Sequence, residues 1–409
     1  MKPDREQQET LDKLKIAAEQ IISGATNQQV QIDKIDRLTE KGRRNLLLRC
    51  FIKPIKDLPS SFIIKKVETE NYNPDNIDWD TRRFFNDWIG TQFLNEISSK
   101  HSPSIYGGDK PALKDTASHN GMASLRDLGF IIIEDVLHRN SLVESLLGNN
   151  CNYAEWALLK YATCLGQLHI DTLGKKAEFQ ELYNKVSPNM KPAKASVNVS
   201  QHKSRFENMG IEFTRDLLND LDTIHQTVSN PGEFLVYIHG DACPDNVLDT
   251  GSQLRLIDFE TGYFGHALID AVFARMMFPS CWCSKRLPHK IVKQMEDTYR
   301  SILVQKCSVA EDDKIFESNL VDVCGFWLLD TLSRHFESAL KKDEDFGIST
   351  IRQRILARLE TFIVTSQEFN RLPGLRATSC QLLDLLRHRW SDTPELPFYP
   401  AFLSDTISL

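Results

Sequence analysis

Phe234–Gly262 reads FLVYIHGDACPDNVLDTGSQLRLIDFETG. Phe234–Ile238 is an apolar run of strand type that ends in the tight polar triplet His239-Gly240-Asp241. Asn246-Val247-Leu248 is apolar again, and Asp249-Thr250-Gly251-Ser252 has the composition of a hairpin turn. Leu254–Ile257 is the return strand, closing on Asp258-Phe259-Glu260. A hairpin centred near Thr250 and Gly251 is expected to carry Asp258 back beside the loop that holds Asp241 and Asn246. Three hard oxygen donors would then converge at one end of it. Such a set suits Mg²⁺, which takes one or two protein oxygens together with phosphate oxygens and water. Asn246 and Asp258 are expected as the metal ligands, and Asp241 is left to face a substrate hydroxyl. This is the division of labour that phosphoryl transfer uses.

Outward from this stretch, the pattern divides the chain of 409 residues. A helix is expected over 6–23, with Leu11, Leu14, Ala18, Ile21 and Ile22 on one face and Gly24 as its stop. Its polar face carries both charge signs, so it is read as packing on the body of the protein rather than lying on a membrane. Strands are expected at Gln29–Ile35, Asn45–Ile52 and Ser61–Val67, separated by polar turns, and an amphipathic helix from Trp79 to about Ser99. Residues 101–127 read as loop, 129–134 as a buried strand and 153–169 as the clearest helix. Residues 171–205 read as a long loop or broken helices and 206–228 as helix. From Ala267 onward the periodicity is almost wholly helical. Strands and helices are segregated along the chain, which argues for an α+β class.

Composition narrows the function classes. Apolar residues make up 41% and charged residues 26%, which excludes wholesale disorder. The formal charge of −7 argues against a general nucleic-acid binder. No uncharged apolar run approaches the roughly 18 residues of a membrane helix, and the polar start has no apolar leader core. A cytoplasmic chain with no membrane partner is expected. The nine cysteines are odd in number and scattered, and are read as reduced thiols.

His239-Gly-Asp241-x-x-x-x-Asn246 followed by Ile257-Asp258-Phe-Glu260 resembles the catalytic signature of the aminoglycoside phosphotransferase and choline kinase-like family of small-molecule kinases. The resemblance extends from about residue 28 to about 390. It implies a two-lobed protein-kinase-like fold: an N-terminal helical extension over 1–25, a nucleotide-binding lobe with a small antiparallel sheet over 26–135, and a mainly helical lobe over 136–409 with the catalytic loop and acceptor site. It further implies ATP and Mg²⁺ as cofactors. Lys65 resembles the lysine that pairs with the phosphates, with Lys66 one register slip away. Asp87 stands where the family usually has the glutamate that holds this lysine, and Glu96 is the alternative. Asn45 resembles the residue after the phosphate-covering turn, here Glu40-Lys-Gly-Arg-Arg, in which Arg43 and Arg44 would supply charge. Backbone groups of Glu134 and Val136 would meet adenine. Asp270 resembles an aspartate that braces the catalytic loop. His239 and His169 are read as structural, and Glu260 as a support to the metal ligands.

The implied reaction is transfer of the γ-phosphate of ATP to a hydroxyl of a small molecule: an amino alcohol, a sugar or an aminoglycoside-like compound. Three rivals are weaker. A protein kinase would carry His-Arg-Asp, Asp-Phe-Gly and a later Ala-Pro-Glu, whereas this chain has Gly240, Asp-Phe-Glu and helical pattern. A metal-dependent phosphatase would require an upstream Asp-x-His. A kinase-like binding protein without activity is left open by Asp87 and by the glycine-poor turn.

Overall fold

The computed structural model describes residues 5–39, 45–67, 78–111 and 128–403. The turn 40–44, with Arg43 and Arg44, and the polar break over 68–77 lie outside the described residues. The chain forms two compact units. The first holds Met1–Leu137, Ala177–Pro192 and Ile257–Thr261; the second holds His138–Lys176, Ala193–Leu256 and Gly262–Leu409.

In the first unit, α1 (Arg5–Thr26) precedes β1 (Ile32–Arg37), β2 (Asn45–Ile52) and β3 (Ser61–Val67). Then come α2 (Trp79–Glu96), β4 (Ile105–Pro111) and β5 (Leu128–Glu134). The five strands make one sheet in the order β1-β2-β3-β5-β4, each neighbouring pair antiparallel. The period of two in β2 sends Leu46, Leu48, Cys50 and Ile52 to one face. Leu14, Ala17, Ala18 and Ile22 of α1 pack there with Ile32, Phe62, Ile64, Phe130 and Ile132. The first helix is thus part of this unit's core. Because neighbouring strand residues face opposite sides, Lys65 points away from that core while Ile64 points into it.

Residues 105–111 correct the expectation of a loop over 101–127. At Gly107-Gly108 this strand comes close to its neighbours. A Cβ at Gly108 would lie 2.6 Å from the Phe130 carbonyl oxygen, and one at Gly107, whose φ is +137°, 2.8 Å from Ile21 Cγ2. The glycines therefore mark a strand pressed against β5 and α1, with a register shift between Ile105 and Gly107.

The second unit is mainly helical. Its helices include Cys151–Thr172, His289–Leu303, Asp313–Lys341, Ile351–Glu368 and Pro373–Arg389. Cys151–Thr172 crosses His289–Leu303 closely at Gly166, where a Cβ would sit 3.0 Å from Ile302 Cβ. The single helix expected over 206–228 is instead two, Val199–Asn208 and Arg215–Ser229. Gly210, with φ +73°, ends one, and the Thr214 side chain caps the other by accepting from the Leu217 amide. Among short strands, Val247–Asp249 and Leu254–Leu256 form the expected hairpin, with Val247 opposite Leu256. Leu235–Ile238 pairs with Tyr263–His266, a strand not read from the sequence. The expected α+β class and the kinase-like order, a small antiparallel sheet followed by a mainly helical remainder, are both present. Among the described residues, no helix is long and apolar enough to cross a membrane.

Candidate active site

Leu235–Ile238 delivers the chain from the core of the second unit into the loop 239–246. Gly240 has φ +74°, a turn that a side chain would resist. The loop is tied down by Asp270, which is fully buried. Its Oδ2 accepts from the His239 amide at 2.7 Å and its Oδ1 from the Gly240 amide at 3.0 Å. His169 Nε2 lies 3.2 Å from Asp270 Oδ2, and His169 Nδ1 lies 2.7 Å from the Tyr299 hydroxyl. Burial alone would push the Asp270 carboxyl up, but His169, His239 and the His239 amide hold it below its ordinary value. Tyr161 adds a hydroxyl bond to the Ala242 carbonyl at 2.8 Å.

Within the loop, the Asp241 amide donates to His239 Nδ1 at 3.3 Å. Asn246 Nδ2 donates to the Asp241 carbonyl at 3.0 Å, so its amide nitrogen is spent on the loop and its oxygen is the atom suited to a metal. The Ser280 hydroxyl donates to Asp241 Oδ1. Cys243 is disulfide-bonded to Cys281, with Cα atoms 5.6 Å apart. This corrects the reading of all the cysteines as thiols. The partners are 38 residues apart, and only tertiary folding brings them together. The other seven cysteines are thiols outside any disulfide.

In the first unit, Lys65 on β3 and Asp87 on α2 meet the segment 257–261. Lys65 Nζ donates to Asp87 Oδ2 at 2.7 Å and to Asp258 Oδ1 at 2.5 Å, and lies 3.9 Å from Glu260 Oε2. Asp87 Oδ1 accepts from the Phe259 amide at 2.8 Å. Asn86 Nδ2 donates to the Glu260 carbonyl at 3.1 Å, and Arg83 pairs with the Glu260 carboxylate. Burial works against the Lys65 charge, but Asp258 and Asp87 outweigh it and hold the ammonium above its usual range. Burial and the nearby Asp258 push Asp87 up against the pull of Lys65 and the Phe259 amide. The cluster sets three carboxylates against two cations, and the Asp258 side chain, 33% exposed, is its open oxygen donor. A hard divalent cation fits this donor chemistry. Asp258 has φ +68°, a conformation that an aspartate tolerates better than bulkier residues do.

Lys65, Asp87 and Asp258 are thus brought together, and Asp241 and Asn246 share one loop. Glu96 accepts instead from Gln92 on the exposed side of α2, and Lys66 Nζ bonds the Val67 carbonyl. Asn45 opens β2 opposite Val67. Glu134 ends β5, and its side chain accepts from the Ser104 amide at 2.9 Å. Val136 is buried just beyond it. Sequence reasoning missed three features. One is the Arg83–Glu260 pair, whose partners lie far apart in the chain. Another is Ser280, a single serine with no motif around it. The third is buried Asp135, which accepts from the Ser61 hydroxyl at 2.6 Å and from Arg49 Nη2 at 3.0 Å.

The chain is similar to a solved choline kinase from Cryptosporidium parvum Iowa II, at 15% identity over 86% of this chain and 93% of that one, with a TM-score of 0.45. It is also similar to a putative aminoglycoside phosphotransferase from Ralstonia eutropha JMP134, at 12% identity over 92% and 98%, with a TM-score of 0.46. A choline/ethanolamine kinase family protein from Mesorhizobium loti matches at 12% identity over 92% and 98%, with a TM-score of 0.43. No curated protein sequence matches the chain. Residues 110–289 match the model of the phosphotransferase enzyme family; Lys65 and Asp87 precede the match. The resemblance read from the motifs is thus matched over the segment that carries Asp241, Asn246, Asp258 and Asp270, which is similar to the phosphotransferase enzyme family.

Proposed function

We propose that the protein is an ATP- and Mg²⁺-dependent phosphotransferase that moves the γ-phosphate to a hydroxyl of a small molecule, of the amino alcohol, sugar or aminoglycoside-like kind. The observation that carries the reading is Asp241 on a backbone fixed by Asp270, within a segment that matches a phosphotransferase family. On this reading the first unit binds nucleotide: Lys65 meets the α- and β-phosphates, with Asp87 as its anchor. Asn45 adjoins the phosphates, and the backbone of Glu134 and Val136 meets adenine. Asp258 and the Asn246 side-chain oxygen would hold Mg²⁺, which when bound neutralises charge on the phosphate oxygens. The second unit supplies Asp241, which hydrogen-bonds the acceptor hydroxyl, sets its oxygen in line and takes its proton as the bond to phosphorus forms. Gly240 in place of the protein-kinase arginine leaves no reader for a phosphorylated loop, which favours a small acceptor.

The test is Asp241→Asn, which keeps the shape and removes the base. ATP turnover is measured with amino alcohols, sugars and aminoglycosides as acceptors. For the best acceptor, kcat is expected to fall on the order of 10²–10⁴, as for loss of a general base. ATP affinity should stay within about twofold, because a positioned base contributes to the transition state rather than to ground-state binding. Surviving turnover would remove Asp241 from the chemistry. Loss of ATP binding along with turnover would make it a nucleotide-site or folding residue.

A further inference from the structure

The segment that reaches toward Asp241 is itself anchored from the core. Residues 276–284 follow an irregular path, with φ of +58° at Met277 and +49° at Phe278. Two arginines of the helix Ile351–Glu368, both nearly fully buried, hold its carbonyls. Arg358 donates to the Met276 and Pro279 carbonyls, each at 3.1 Å, and Arg354 to those of Cys281 at 2.7 Å and Trp282 at 3.0 Å. The Ser284 hydroxyl closes the turn on the Met277 carbonyl at 2.6 Å. Three groups extend from this ledge to the 239–246 loop. The Ser280 hydroxyl donates to Asp241 Oδ1, Cys281 is bonded to Cys243, and Trp282 Nε1 donates to Asp245 Oδ2 at 2.7 Å. Cys243 Sγ lies 3.0 Å from Asp241 Oδ1; a disulfide sulfur has no proton to donate, so this is a packing contact.

We propose that this ledge is a positioning clamp on Asp241: Ser280 sets the direction of the carboxylate, the Cys243–Cys281 bond keeps the loop against Ser280, and breaking that bond slows phosphoryl transfer. The inference rests on the reading of Asp241 as the base. A dithiol reductant breaks the S–S bond by thiol–disulfide exchange. Its two electrons and two protons pass to the two sulfurs, and it leaves as its own cyclic disulfide. A low-molecular-weight disulfide such as glutathione disulfide reverses the step, taking up the two electrons and two protons and leaving as two thiols. Two thiols cannot remain at bonding distance. The ledge is held by Arg354 and Arg358, so the displacement falls on Cys243, two residues from Asp241. A misplacement of about 1 Å costs on the order of 10² in rate.

The experiment compares wild type treated with glutathione disulfide and with dithiothreitol, with thiols counted after denaturation. Seven are expected in the first state and all nine in the second. On reduction, kcat with the best acceptor is expected to fall about 10- to 100-fold, with the KM for ATP within about twofold. Because both sulfurs are buried, Cys243→Ala combined with Cys281→Ala provides the opened state without a reductant; once shown to melt cooperatively, it should match reduced wild type and ignore redox treatment. Ser280→Ala should lower kcat about tenfold and move the acid limb of its pH profile upward, because a carboxylate that loses a donor becomes more basic. Cys380→Ser, at an exposed site, should keep the wild-type redox response. Equal kcat in the two states at verified thiol counts, a rise on reduction, or an unmoved pH profile in Ser280→Ala overturns the clamp. If Asp241→Asn is inactive while those results are found, the clamp alone fails. If Asp241→Asn is active, the assignment of the base fails and the clamp with it.

Discussion

At the scale of the residue, Lys65 and Lys66 show how strand geometry separates two adjacent lysines. One step along β3 reverses the side-chain direction. Lys65 is 7% exposed and held between Asp87 and Asp258, whereas Lys66 is half-buried and bonds a neighbouring carbonyl. Asp87 is one methylene shorter than a glutamate, yet it reaches Lys65 at 2.7 Å, and the Phe259 amide fixes its other oxygen. Lys65→Met should have two effects. Without nucleotide, the melting temperature should drop, because removing one partner of a buried pair leaves the other charge uncompensated, at a cost of about 3–5 kcal/mol. With Mg-ATP at 100 times its Kd, wild type should gain about 2.7 kcal/mol, and the variant should lose most of that gain. Lys66→Met should keep it. Thermal melts of the three proteins with and without Mg-ATP decide the matter. An undiminished shift in Lys65→Met would mean that another group meets the phosphates.

At the scale of the element, what could be read from the sequence follows from how each element is stabilised. The bounds of β2 and β3 were legible to the residue, because alternating apolar positions are bracketed by turn-forming residues. β4 and the strand Tyr263–His266 were not, since each contains glycines that interrupt the apolar pattern. Those glycines are demanded by close approach: a Cβ at Gly265 would fall 2.9 Å from Ile238 Cδ1 on the paired strand. Asp241, Asn246 and Asp258 were legible as candidates because their spacing is local. Ser280 and the Cys243–Cys281 bond depend on contacts across 38 or 39 residues, which no local pattern records. Asp270 lies between these cases: the resemblance implies a brace on the loop, and the structure shows how it acts, its two oxygens taking two adjacent loop amides. In Asp270→Asn, the side-chain NH₂ must face one of those amide donors, leaving a buried donor unsatisfied at about 1–3 kcal/mol. The melting temperature should fall by several degrees, and kcat, measured well below the melt, about 10- to 100-fold, with ATP affinity retained. An unchanged kcat in the folded variant would confine Asp270 to a structural role.

At the scale of the whole molecule, burial favours the neutral form of His266, His202 and His335 in the second unit, and the charges of Arg358, Arg334 and Arg354 act the same way on His335. His266 is fully buried and stacked on Phe234; its Nδ1 accepts from the Leu268 amide at 3.2 Å, while Nε2 lies 2.9 Å from the Asn319 side-chain oxygen. A proton on Nδ1 would sacrifice the first bond, and burial pushes its pKa down to about 4. His202 is pushed to about 3 by burial and by the adjacent Arg205 charge. Unfolded, both return to about 6.5. Between that value and the folded values the unfolded chain binds more protons, so stability falls as pH falls through this window. The contribution is fully present above about pH 7. From there to pH 5 His266 and His202 should each cost about 2 kcal/mol of unfolding free energy. Asp87 and Asp220, which burial holds above their ordinary values, act in the opposite sense as they take up protons, so the measurement stops at pH 5. Urea unfolding at half-unit steps from pH 7.5 to 5 should show a falling midpoint at constant slope. His266→Gln, which cannot titrate, should remove part of the fall even if its midpoint at pH 7.5 is lower. A midpoint independent of pH in wild type would mean that the rings take up protons without leaving their buried sites.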